Sequence, residues 1–104
     1  MSEKISIYIP VFNAEKTIKQ SINSIKEQSI NVNEIIVIDD NSNDNTKEII
    51  KKFSNIKIIS NKNNMGLGYS RNLGMNESKN DIVGAIDADV VLDKYWLETL
   101  LKNL

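Results

Sequence analysis

Isoleucine is the most frequent apolar residue of this chain, and its spacing switches between two periods. Ile5, Ile7 and Ile9 alternate and run into Pro10, the pattern of a short strand. Asn13 is placed to cap a following helix, in which Ile18, Ile22 and Ile25 recur at helical spacing and define a buried face. Ile35-Ile36-Val37-Ile38 is an unbroken β-branched run, as expected of a strand covered on both faces. Ser42 or Asp44 then opens a second helix carrying Ile49, Ile50 and Phe53, and a third strand follows at Ile56-Lys57-Ile58-Ile59. Gly66 to Asn76 reads as a third helix and Ile82 to Ile86 as a fourth strand. Trp96, Leu97, Leu100, Leu101 and Leu104 mark a last helix. Strand–helix alternation with apolar strands predicts an α/β fold, a parallel sheet with helices on both faces in a half-barrel-like or Rossmann-like layer.

Composition narrows the chemistry. At 104 residues the chain is one small domain with a single core. Its net charge is -1, with both signs mixed along the chain and no basic block, so nucleic acid is not an expected partner. Cysteine and histidine are both absent, which excludes disulfides, thiolate metal sites and thiol or imidazole catalysis. Met1-Ser2-Glu3-Lys4 leads straight into the first strand, and no signal peptide or membrane-spanning run is seen. The expected location is cytoplasmic, with any peripheral membrane association supplied by segments beyond these residues.

Ligands of open parallel sheets sit beyond the carboxyl ends of the strands, near the point where the winding reverses. Three polar clusters fall at such ends: Pro10-Val11-Phe12-Asn13, Asp39-Asp40-Asn41-Ser42 and Asp87-Ala88-Asp89. Right-handed crossovers bring them to one rim. Asp87-Ala88-Asp89, a D-x-D (DXD) triplet where an apolar strand gives out, offers a compact patch of hard oxygen donors suited to Mg²⁺ or Mn²⁺. Alone the triplet is weak, because acidic residues commonly follow buried strands. Two of the three clusters are carboxylate pairs, expected to repel unless something positive is bound.

These segments carry a resemblance. Ile9-Pro10-Val11-Phe12-Asn13-Ala14-Glu15, Ile38-Asp39-Asp40-Asn41-Ser42-Asn43-Asp44-Asn45-Thr46, Asn64-Met65-Gly66 with Arg71-Asn72-Leu73-Gly74, and Asp87-Ala88-Asp89 occur in the order and spacing of a family 2 glycosyltransferase of the GT-A fold. The chain resembles the N-terminal, nucleotide-sugar-binding portion of such an enzyme along essentially its whole length, residues 1–104. The resemblance implies strand order 3-2-1-4 and transfer of a sugar from a nucleoside-diphosphate donor to an acceptor hydroxyl, on a saccharide or a lipid-linked molecule, with inversion. It places Pro10, Phe12 and Glu15 along the base and ribose pocket, with Phe12 where a tyrosine is usual. Asp40 accepts a hydrogen bond from the base, while Asp39 holds nearby backbone amides. Asp89 is the direct metal ligand, and Asp87 orients the ribose or a metal-bound water, so both are counted at the metal. In the family the general base lies well past the D-x-D. No residue here matches it, so the chain is expected to be the donor-binding part of a longer enzyme, inactive in transfer by itself. Its uncovered fourth strand is expected to promote self-association.

Several readings compete. By residue type alone, Phe12 is either a core aromatic or a stacking platform. Ser42, Asp44 and Thr46 read as helix caps rather than ligand contacts. Gly66-Leu67-Gly68 lacks the third glycine and the lysine of a phosphate loop and reads as a flexible turn before a helix. Arg71, one turn into that helix, can reach the rim and pair with Asp87, Asp40 or a diphosphate, against the plain alternative of a surface arginine. A receiver-type signalling domain would carry its acidic pair after the first strand, and a nucleotidyltransferase would carry a glycine-rich basic loop there; neither is present. A non-catalytic nucleotide-binding or interaction module remains the alternative function.

Overall fold

The computed structural model describes residues 4–104, so the lead-in at positions 1–3 lies outside the described residues. Four parallel strands, β1 (Ile5–Val11), β2 (Glu34–Asp39), β3 (Lys57–Ser60) and β4 (Ile82–Ala85), form one sheet in the order β3-β2-β1-β4. The helices between and after them are α1 (Ile18–Lys26), α2 (Thr46–Lys51), α3 (Leu67–Glu77) and α4 (Trp96–Lys102).

Side-chain alternation divides the strands between two cores. Ile5, Ile7, Ile9 and Val11 of β1 join Ile35 and Val37 of β2 on one face, under Ile18, Ile22 and Ile25 of α1, Ile50 of α2 and Leu97 of α4. Tyr8, Ile36 and Ile38 face the other way, with Leu73 of α3 packed against them. Winding runs outward from β1 to β3 with α1 and α2 on the first face. The chain then returns through α3 on the second face to lay β4 beside β1, so the direction reverses between β1 and β4. That reversal is the switch point where a crevice opens at the strand ends.

Two backbone details shape this rim. Pro10 has no N–H, yet it lies in a central strand; its place is two residues beyond Tyr8, the last partner of β4 in the register. Its missing donor therefore faces a side where no strand continues. Gly74 lets α3 settle directly on the sheet, since a Cβ there would lie 2.4 Å from Tyr8 Cδ1.

Some element ends differ from expectation. Asn13 does not cap α1, whose N-cap is Thr17; instead Asn13 adopts φ 49° and ties two loops together. α2 starts from Asn45 rather than Ser42 or Asp44, and Phe53 lies past its end. Gly66 is the N-cap of α3, with Gly68 inside the helix, and Ile86 falls just past β4 while still donating its N–H to Tyr8 O.

Candidate functional site

The loops after β1 and β2 are clasped by side chains. Backbone N–H groups of Asn13, Ala14 and Glu15 donate to Ser42 Oγ (2.9 Å), Thr46 Oγ1 (2.8 Å) and Asp44 Oδ2 (3.3 Å). Asn43 N–H returns a bond to Asn13 Oδ1 at 2.9 Å. Ser42 and Thr46, expected to cap a helix, thus hold the neighbouring loop. Asp44 does both jobs, since its Oδ1 also accepts from Thr46 N–H. The clasp presents Phe12 at the rim, 49% exposed, which settles against its reading as a core aromatic. Pro10 is buried in β1, and the exposed Glu15 accepts from Asn45 Nδ2.

Strand alternation also corrects the expected repulsion between Asp39 and Asp40. The two carboxylates leave β2 on opposite faces, and each has its own protein donors. Asp39 is fully buried; its Oδ1 accepts from the N–H and hydroxyl of Ser42, and among the described residues its Oδ2 has no partner. Asp40 Oδ1 accepts from Asn61 Nδ2 (2.9 Å) and Met65 N–H (2.8 Å), and Oδ2 from Gly66 N–H (3.0 Å). Asn64 Nδ2 donates to the Asp40 carbonyl at 2.9 Å. Burial pushes the Asp40 carboxyl up, but the Met65 N–H, the Asn61 amide and the Gly66 N–H outweigh it and hold it below its ordinary value. The turn carrying Gly66, at φ 92°, is therefore a fixed one, anchored on Asp40. Asn61 escaped the reading of single residues, and Asn64 was named only as part of the matching segment Asn64-Met65-Gly66, without a role.

At the other side of the crevice Asp87 and Asp89 are both exposed in a turn closed by Val90 N–H donating to Asp87 O (3.1 Å). Arg71 Nη2 lies 3.6 Å from Asp87 Oδ1, with the side chains 49% and 62% exposed. The arginine thus reaches the rim and finds the first of the three partners expected for it. Such an open pair contributes little to stability. It holds a cationic and an anionic group ready at the switch point.

The turn itself is fastened from α1. Ala88 O accepts from Thr17 Oγ1 (3.0 Å) and Ser21 Oγ (2.9 Å), and Ser21 Oγ also meets Val90 O. Leu92 N–H donates to Ser24 Oγ (3.0 Å), and Gln28 Nε2 donates to Asp93 O (2.7 Å) while its Oε1 accepts from Leu97 N–H (2.9 Å). Thr17, Ser21, Ser24 and Gln28 recur at helical spacing beside the isoleucine stripe. That polar period was present in the sequence and went unread.

A four-stranded parallel sheet in the order β3-β2-β1-β4 with helices on both faces is the architecture of the GT-A fold. The chain matches the Glycosyl transferase family 2 sequence model over residues 6–104 and belongs to that family. It is 32% identical to the glycosyltransferase GlyA of Streptococcus pneumoniae serotype 4 over 107 residues, covering 100% of this chain and 15% of GlyA. It is 39% identical over 104 residues to the cholesterol galactosyltransferase of Borreliella burgdorferi, covering 96% of this chain and 29% of the relative. The crystal structure of S. aureus TarS 1–349 in complex with UDP superposes with a TM-score of 0.86 at 29% identity, over 95% of this chain and 31% of that one. The chain thus spans less than a third of the length of each of these three proteins.

Among the described residues no helix is long and apolar enough to cross a membrane.

Proposed function

We propose that these residues form the donor site of an inverting glycosyltransferase. They bind a nucleoside-diphosphate sugar, with Mg²⁺ or Mn²⁺ at Asp87 and Asp89, for transfer to an acceptor hydroxyl on a saccharide or a lipid-linked molecule. The observation that carries the reading is the exposed Arg71–Asp87 pair at the switch point, together with the exposed Phe12 just past the end of β1. The UDP complex of TarS, a protein of the same fold, supports a nucleotide donor.

The donor set fits the metal. Asp87 and Asp89 are hard oxygen donors, and no cluster of three acidic, histidine or cysteine side chains occurs among the described residues. Mg²⁺ and Mn²⁺ commonly use one or two carboxylates and complete their shells with phosphate oxygens and water. When bound, such a cation neutralises charge developing on the leaving diphosphate. Arg71 adds a positive charge fixed on a helix. Phe12 offers a ring face to the base, with Pro10 and Glu15 on the same side. Asp40 Oδ2 accepts one protein N–H and keeps a lone pair for a base N–H. Asp39, fully buried with its Oδ1 taken by Ser42, holds the loop rather than the ligand. In this reading the acceptor site and the general base belong to other parts of a longer protein.

Calorimetry of the chain with uridine, guanosine and thymidine diphosphates, with and without Mn²⁺, tests the proposal. One of them should bind with a Kd on the order of 0.1–1 mM, as suits an open, solvated site. Asp89→Ala should remove the gain from Mn²⁺, and Asp87→Ala should reduce it less. Binding of none of the three, or a gain that survives Asp89→Ala, refutes the assignment.

A further inference from the structure

The polar stripe of α1 ends at the candidate metal turn. Ala88 O lies between the two carboxylates in sequence, and both Thr17 and Ser21 donate to it. Ser21 also meets Val90 O, so one buried hydroxyl straddles Asp89, touching the carbonyl before it and the carbonyl after it. Within the turn, Val90 N–H to Asp87 O is the bond that the loop makes with itself. The directions in which Asp87 and Asp89 project are therefore set by peptide planes pinned to α1, a helix 67–71 residues earlier in the chain.

We infer that Thr17 and Ser21 are positioning residues for the Asp87–Asp89 turn, holding both carboxylates in the arrangement that captures a divalent cation. The inference rests on reading Asp87 and Asp89 as cation ligands. A hydroxyl is the suitable group here. It donates to a carbonyl without adding charge beside the metal, and the short side chains of Thr and Ser keep the loop close against the helix. Ser24 sits on the same stripe but accepts from Leu92 N–H, beyond the carboxylates, so it secures the loop without framing them. Two ligands held in place bind better than two that must be ordered on binding, because that entropy is spent on folding instead.

Paramagnetic broadening of backbone amide resonances by Mn²⁺ alone tests this without any turnover. The reading is the Mn²⁺ concentration that half-broadens the amides of residues 87–90, set against the exposed Asp93 as the baseline for loose association. The parent should broaden at 87–90 first, and Asp89→Ala should bring these amides to the baseline. Thr17→Val with Ser21→Ala should raise the half-broadening concentration roughly tenfold, toward the lower end of the effect of losing two hydroxyl hydrogen bonds. Thr17→Ser, which keeps the hydroxyl at position 17, should match the parent. Ser24→Ala, which deletes a buried hydroxyl of the same helix, should stay within about twofold of the parent even where its melting temperature falls as far. Should Asp89→Ala abolish the broadening while the Thr17/Ser21 variant matches the parent, the positioning role is overturned and the metal reading stands. An equal loss in Ser24→Ala also overturns it, since general loosening would then explain the effect. A parent that broadens no earlier at 87–90 than at Asp93 overturns the metal reading itself, and this inference with it.

Discussion

Gly74→Ala isolates the contact that sets how deeply α3 sits on the sheet. The added methyl would stand 2.4 Å from Tyr8 Cδ1, 2.6 Å from Tyr8 Cγ and 2.9 Å from Ile38 Cδ1. Tyr8 Cγ lies next to its own backbone and cannot swing aside, and the ring is buried in the central strand. Reaching ordinary contact from 2.4 Å means opening a gap of about 1 Å between helix and sheet. Overpacking of this kind costs about 3 kcal/mol at the upper end of its usual range. The better helix propensity of alanine returns about 1 kcal/mol. A net loss of about 2 kcal/mol should lower the melting temperature by roughly 8–16 °C for a domain of this size. Gly68→Ala, in the same helix with nothing within 4 Å, serves as the control and should gain about 0.5 kcal/mol. In a Tyr8→Ala background, where the ring is gone, the penalty at position 74 should shrink to what the remaining contact with Ile38 Cδ1 costs. Urea denaturation of the five proteins (parent, Gly74→Ala, Gly68→Ala, Tyr8→Ala and the Tyr8→Ala/Gly74→Ala double variant) supplies the numbers. A Gly74→Ala variant as stable as the parent, or a penalty unchanged by removing the ring, would show that α3 does not rest on this contact.

Two further outcomes follow from the same geometry. The Asp40 carboxyl is held below its unfolded value near 3.8 by three N–H donors, so its contribution is full above that value and is lost as pH falls through the lower folded one. Asp40→Asn, which cannot accept at both oxygens, should cost about 1–3 kcal/mol at neutral pH, and the deficit should shrink on acidification below about pH 4; an equal deficit at pH 7 and pH 3 would count against it. Apolar side chains stand open on the segment after β4, with Val91 63% and Leu104 84% exposed, and β3 and β4 present unpaired edges. The chain should therefore self-associate in sedimentation experiments, whereas a clean monomer at high concentration would contradict this.

The sheet was legible because its signals are local. β-branched runs such as Ile35–Ile38 and the 18, 22, 25 spacing in α1 follow from period alone. Strand order came from the resemblance, since periodicity says nothing of which strand lies beside which. Phe12, Asp87 and Asp89 follow the ends of β1 and β4, positions readable from the apolar runs, and Arg71 reaches Asp87 from α3. The partners of Ser42, Asp44 and Thr46 were misjudged for a physical reason. A short polar side chain before a helix looks the same whether it bonds its own helix or a loop some thirty residues away. Asp39 and Asp40 were misread as a repelling pair because sequence adjacency hid their opposite faces, although strand alternation could have revealed it. The hydroxyl stripe of α1 was visible as a period and passed over because the apolar stripe beside it already explained the helix.

The strand order has a consequence for the protein as it is being made. β1, β2 and β3 leave the ribosome in an order that lets each pair with its predecessor. The opposite edge of β1 has no neighbour until residues 82–85 have been synthesised. At typical elongation rates the stretch from the end of β3 to the end of β4 takes roughly one to five seconds. During that interval one of the most apolar strands of the molecule offers an open parallel edge, and Tyr8 O waits for the Ile86 N–H that will satisfy it. α3 is made within the same interval and can cover the face but not the edge. A nascent chain stalled there would expose a slot shaped for one more strand, which chaperones and neighbouring chains would compete to fill.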